Sequence, residues 1–157
     1  MSDIDFTAIS MRIVCAAACG GVLGWEREAR DKSAGLRTNM LVAIGAATAT
    51  IAALDLYASL PGEAPGGISS DPIRIISGVI GGLGFLGAGA IMQSRGRVEG
   101  MTTAATIWVV GGIGVACGLG NYALALPVVI IALVVLFAIG KFAHSQLAPE
   151  SLQKDDT

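Results

Sequence analysis

Apolar residues fall along this chain in blocks rather than at amphipathic spacing, and five blocks approach the ~20 residues needed to cross the ~30 Å hydrocarbon layer of a bilayer. They cover residues 6–24, 38–57, 73–92, 102–119 and 122–141. A backbone surrounded by lipid must satisfy its own polar groups, and the blocks lack the roughly ten-residue alternation of a membrane β-barrel, so each is predicted to be a helix. The fold class expected is an all-α integral membrane protein with five transmembrane helices, residues 1–142 forming the transmembrane domain and 143–157 a short cytosolic tail. Composition agrees: 54% of the 157 residues are hydrophobic, 14% are charged and the mean hydropathy is +0.71, too apolar for an ordinary soluble domain. The acidic start, with Asp3 and Asp5, has no basic n-region of a secretory signal, so the first block is expected to be retained as a span.

Charge divides the connections. Arg27, Arg30, Lys32 and Arg37 lie in or beside the first, and Arg95 and Arg97 in the third, whereas the second and fourth contain no Lys or Arg. Lys141 and Lys154 follow the fifth block. By the positive-inside rule, the first and third connections and the C-terminus are cytosolic and the N-terminus faces out. Arg12 and Arg74 are exceptions that fall inside spans.

Glycine placement predicts which helices approach closely. Gly20 with Gly24, Gly78 with Gly82, and Gly114 with Gly118 are GxxxG pairs in the first, third and fourth spans, which should therefore be interior. In the third span, Gly81, Gly82, Gly84, Gly87 and Gly89 cover several helical faces, predicting a helix that is crowded on many sides or broken. The fifth span lacks glycine until Gly140 and suits a peripheral position against lipid. An internal echo offset by 65 positions relates Gly24, Arg30, Gly35 and Thr38 to Gly89, Arg95, Gly100 and Thr103. It predicts two parallel-repeat hairpins plus the peripheral fifth helix, with the first and third spans meeting near the axis.

Candidate chemistry concentrates at the cytosolic helix ends. Glu26 with Arg30, Arg27 with Asp31, and Glu28 with Lys32 stand at i,i+4 spacing, either as a solvated extension of the first helix or as a docking or ion-handling surface. Thr38 and Thr102 or Thr103 are natural N-caps; alternatively the two helix starts, with Arg37 and Asn39, hold an anionic group. On the repeat reading, Arg37, Thr38, Thr102 and Thr103 converge on one site. Asp55 and Arg74 sit at similar depth near the outer surface and are expected to form an intramembrane ion pair. Cys15 and Cys19 in the first span and Cys117 in the fourth have neither CxxC spacing nor a disulfide framework, so small packing residues are expected, with metal or redox work as the alternative. The lone His144 completes no catalytic set, and HExxH, P-loop and GxSxG motifs are absent. No enzymatic activity, cofactor or nucleic-acid partner is expected, and the sequence identifies no metal site.

Four separated motifs then come together: Gly24-Trp25-Glu26-Arg27-Glu28; Lys32-Ser33-Ala34-Gly35-Leu36-Arg37-Thr38; Gly84-Phe85-Leu86-Gly87-Ala88-Gly89-Ala90-Ile91; and Val98-Glu99-Gly100-Met101-Thr102-Thr103-Ala104-Ala105, with Trp108. In kind and order they resemble the MgtC/SapB family of bacterial membrane proteins, from about residue 10 to 140. The resemblance implies an inner-membrane location, a link to adaptation to magnesium limitation, and action on other membrane proteins, including the proton-driven ATP synthase. It also implies Glu26, Arg37, Thr38, Gly84, Gly87, Gly89 and Thr103 as motif positions. Longer members carry a soluble C-terminal domain for which a chain ending at Thr157 is expected to have no room. The expected function is modulation of ion homeostasis or membrane energetics through another membrane protein, with the bilayer as the other partner and homo-oligomerisation compatible with it. The alternatives are a small oligomeric ion channel or transporter and, third, a lipid-organising protein.

Overall fold

A computed structural model of the chain describes residues 5–59, 72–94 and 97–139. In chain order it contains α1 (Phe6–Glu28), α2 (Leu36–Ser59), α3 (Pro72–Ala90), a short antiparallel hairpin of β1 (Met92–Ser94) and β2 (Arg97–Glu99), α4 (Met101–Gly118) and α5 (Tyr122–Val134), the last continuing as a π-helical turn over Val135–Ile139. The helices α1, α2, α3 and α4 are each long and apolar enough to cross a membrane, and Tyr122–Phe137 forms a shorter apolar helix. All five predicted helices are therefore present. The connection 60–71, the end of the fifth predicted span and the tail 143–157 lie outside the described residues.

Local chemistry sets several helix ends differently from expectation. Thr38 and Thr102 are not N-caps: α2 already begins at Leu36, whose N–H is held by the Glu28 carboxylate at 2.7 Å, and α4 begins behind Gly100. Gly100 has φ +86°, and a side chain there would collide with the carbonyl of Ala90, so the exit from the β-hairpin into α4 requires glycine. Asn121 caps α5 conventionally, its side chain accepting the N–H of Leu124 at 3.1 Å.

Packing places α2 and α4 together at the centre. Each also contacts α1 and α3, with no comparable packing between α1 and α3, and α5 rests on α4 and α1. This neighbour pattern is the one expected when two hairpins are arranged about an axis through the α2–α4 contact. It differs from the arrangement that puts α1 and α3 near the axis. The cause is local: a methyl group added to Gly114 would lie 2.5 Å from the carbonyl oxygen of Ala43, and one added to Gly118 would lie 2.7 Å from that of Ala47. On the other side of α2, Gly20 of α1 would meet the carbonyl of Asn39 at 2.6 Å and Gly24 would meet Leu36 Cα at 2.7 Å. Close backbone approach of this kind replaces the hydrophobic driving force that helices lack in lipid. The core formed around these contacts is apolar, with Ala16, Leu23, Ala43, Ala47, Val110 and Ile113 buried.

The third span corrects the expectation of an interior, crowded or broken helix. It is continuous, and Gly78, Gly81, Gly82, Gly84 and Gly89 face open space. Among the described residues of this helix only Leu83 and Gly87 are buried, against Gly111 and Ala104 of α4. These two lie four residues apart on one stripe, and the glycines of the other faces have no close neighbour among the described residues. The β-hairpin after α3 has no signal in the hydropathy pattern, and it makes the two connections related by the echo structurally unlike.

Unequal use of the glycines predicts unequal costs of filling them. Gly114→Val and Gly118→Val should each lower the stability of the bundle by about 1–3 kcal/mol or more through overpacking. Gly84→Ala should be neutral or stabilising by up to about 1 kcal/mol. Unfolding midpoints in mixed micelles measure the difference.

Candidate functional site

The buried face of α1 recurs at Ala16, Cys19 and Gly20, Leu23 and Gly24, and then Glu26 and Arg27. The helical period that brings small residues against α2 and α4 thus continues past the apolar block and carries two charged side chains inward. Glu26 is 3% exposed and Arg27 5% exposed. Buried charges are costly unless paired and hydrogen-bonded, so their partners define the site.

Those partners come from three directions. Glu26 Oε1 accepts from Arg30 Nε at 2.8 Å, one turn along the chain. Arg30 in turn lies over the ring of Phe137, 4.7 Å from its centroid, which ties the far end of the fifth helix to this region. Arg27 Nη2 donates to Thr103 Oγ1 of α4 at 2.6 Å, and Ser33 Oγ, in the connection between α1 and α2, lies 3.1 Å from the same hydroxyl. The connection is itself tightly built. Asp31 and Ala34 adopt left-handed backbone conformations, and Gly35 presses on Glu28, whose Oε2 would lie 2.8 Å from an added methyl group. Asn39, fully buried on α2, donates to the carbonyls of Ala34 and Gly35, the latter at 3.0 Å. Helix α1, the connection, α2 and α4 are thereby held by one polar cluster.

Three buried polar atoms of this cluster have no hydrogen-bond partner among the described residues: Glu26 Oε2, Arg27 Nε and Asn39 Oδ1. The cluster therefore holds two unpaired acceptors and one unpaired donor in a setting where each such group is costly.

The structure divides the sequence-derived candidates. Glu26, Asn39 and Thr103 are buried in the cluster, and Glu28, although exposed, caps α2. Arg37, Thr38 and Thr102 are exposed, so of the four residues expected to converge on one site only Thr103 turns inward. Gly87 is buried against α4, while Gly84 and Gly89 are exposed on α3. Asp55 is half-buried near the end of α2 and Arg74 exposed near the start of α3. The solvated helical extension expected beyond Trp25 is replaced by a turn: α1 ends at Glu28, Arg27 reaches Thr103, and Glu28 reaches Leu36. Of the i,i+4 pairs, Glu26 with Arg30 forms as the spacing predicts, whereas Ser33 and the contact of Arg27 with Thr103 are what i,i+4 pairing alone missed. Continuing the small-residue period of α1 by one more turn identifies Arg27.

Comparison with known proteins gives a consistent result. Residues 13–145 match the family model described as MgtC family. Protein MgtC of Salmonella typhimurium is 42% identical over 123 residues, which cover 78% of this chain and 48% of that protein. Protein MgtC of Brucella abortus is 44% identical over 101 residues, covering 64% of this chain and 38% of that protein. The chain spans about half the length or less of these curated relatives. No solved structure matches it.

The cluster predicts a specific dependence on the Thr103 hydroxyl. Thr103→Val keeps the shape but leaves Arg27 without its acceptor, and should cost about 1.5–3 kcal/mol, the range for a hydrogen bond to a charged group. Thr103→Ser should retain most of the stability. Thermal unfolding of the two variants in detergent, followed by circular dichroism, separates loss of the hydroxyl from loss of packing.

Proposed function

The chain belongs to the MgtC family of multi-pass membrane proteins, and from that membership we propose that it modulates ion homeostasis under magnesium limitation by acting on another membrane protein. In this reading it resides in a bacterial inner membrane, with the N-terminus outside, the C-terminus cytosolic and the Glu26 cluster at the cytosolic surface. The buried cluster sets the shape of that surface, and Glu28, Arg37, Thr38 and Thr102 form its accessible part, the region a partner contacts.

One observation supports modulation over conduction by a single chain. Between the polar cluster and the opposite membrane surface, α1, α2 and α4 are in glycine-to-backbone contact, and the space they enclose is filled by Leu23, Ala43, Ala47, Val110 and Ile113. A hydrated cation crossing there would lose its water against these aliphatic side chains, none of which offers an oxygen in return. A site that is closed below and polar above suits recognition better than passage.

Complementation of a null strain tests this directly. Arg37→Gln, on an exposed side chain, should abolish the growth benefit at low magnesium while membrane abundance stays near normal. Thr103→Val should reduce abundance and growth together. Liposomes containing only this protein should show no magnesium or proton flux above protein-free controls. Flux that follows protein dose would overturn the proposal in favour of a channel or transporter.

A further inference from the structure

The three cysteines, widely separated in sequence, converge. Cys15 and Cys19 are four residues apart on one face of α1, and Cys117 approaches them from the penultimate position of α4. Their sulfur atoms all lie within 4.8 Å of one another, and Cys15 Sγ and Cys117 Sγ are 4.0 Å apart. Cys19 and Cys117 are buried and Cys15 is half-buried. It consists of thiols alone, with no carboxylate or imidazole joining it among the described residues.

We propose that Cys15, Cys19 and Cys117 form a three-sulfur site for a soft monovalent metal ion, Cu(I), within the membrane domain. The argument is geometric and chemical. Three sulfurs around one ion at a metal–sulfur distance of about 2.3 Å stand about 4.0 Å apart in a trigonal plane. One pair already has that separation, and the others need a contraction of less than an ångström. Thiolates select soft ions. Zn(II) prefers a fourth, tetrahedral ligand, which this cluster does not offer, whereas Cu(I) is satisfied by two or three sulfurs.

Each thiol that ligates as a thiolate gives its proton to solvent, so uptake releases protons and weakens as pH falls through competition for sulfur. No electron is transferred, because copper enters and remains as Cu(I). The positive ion offsets thiolate charge that would otherwise be costly in an apolar interior. Binding joins α1 to α4 at a level removed from the Arg27–Thr103 contact, since eight to twelve residues of α1 and fourteen of α4 separate the two. The site therefore stiffens the same helix pair at a second height and is independent of the magnesium-related reading.

The test uses the full chain in lipid nanodiscs, reduced and oxygen-free, titrated with Cu(I) held by a competing chelator. One Cu(I) per chain is expected, with sulfur neighbours only, at about 2.3 Å, in X-ray absorption. The thermal midpoint should rise on loading. Cys15→Ser and Cys117→Ala should each weaken binding by at least about tenfold, while Val14→Ala, on the exposed face of α1, leaves it unchanged. The absorption spectrum of the unmodified chain needs no variant, so poor folding of a cysteine variant does not blunt the test. Failure of the reduced, folded chain to take copper from the chelator, nitrogen or oxygen ligands in the spectrum, or equal binding by a folded Cys15→Ser/Cys117→Ala chain would overturn the proposal.

Discussion

Two helix backbones can approach closely only where side chains are absent, and in this protein that constraint falls on α2. Gly20 and Gly24 bring α1 against one of its sides, and Gly114 and Gly118 bring α4 against another; Gly20, Gly114 and Gly118 lie within reach of α2 carbonyl oxygens, and Gly24 lies against Leu36 Cα and the carbonyl of Gly35. In lipid, where apolar side chains gain little by meeting one another, these dense contacts and the interhelical hydrogen bonds must hold the bundle. Helix α3 depends on the same framework. It meets α4 along the stripe of Leu83 and Gly87, and most of its glycines remain open to whatever surrounds the chain.

The polar cluster follows from this close approach. Once Gly24 lies against Leu36, the next turn of α1 cannot leave the bundle, and Glu26 and Arg27 enter it as charges. Their burial is tolerated because Arg30, Thr103 and Ser33 stand where the connection and the start of α4 place them. Buried pairs of this kind contribute more to a unique arrangement than to net stability. In this structure the uniqueness is local: Arg27 fixes the level of α4 relative to α1, and Glu28 fixes the start of α2. The exposed Arg37, Thr38 and Thr102 are presented on a surface whose shape those buried contacts determine.

Much of this was legible in the sequence. The apolar blocks located all five helices because hydropathy and helix length are local properties, and the GxxxG pairs of α1 and α4 correctly marked close contacts. The same motif failed in α3 because glycine permits an approach without specifying which helix makes it; Gly78 and Gly82 have the spacing but no close contact among the described residues. Charge spacing found Glu26 with Arg30 but misled at Arg27 for a related reason. Arg27 and Asp31 have the i,i+4 separation of a helical pair, but the chain leaves the helix at Glu28, and the stronger pull on Arg27 comes from a threonine 76 residues away. The thiol cluster was similarly hidden, since CxxxC on one helix becomes a three-sulfur constellation only when the level of α4 is known. Levels between helices are tertiary facts, and in this protein they are set by glycines meeting carbonyls.

The central claim is that α2 and α4, rather than α1 and α3, form the inner pair. Carbon–carbon dipolar correlation by solid-state NMR tests it in lipid bilayers, on protein with isotope-labelled glycine and alanine. The account predicts cross-peaks joining Gly114 Cα to Ala43 Cα and Ala46 Cβ, the atoms against which Gly114 packs, and none joining Gly78 or Gly82 to residues of α1. Absence of the Gly114 correlations, together with contacts from Gly78 and Gly82 to Gly20 or Gly24, would place α1 and α3 at the centre and contradict it.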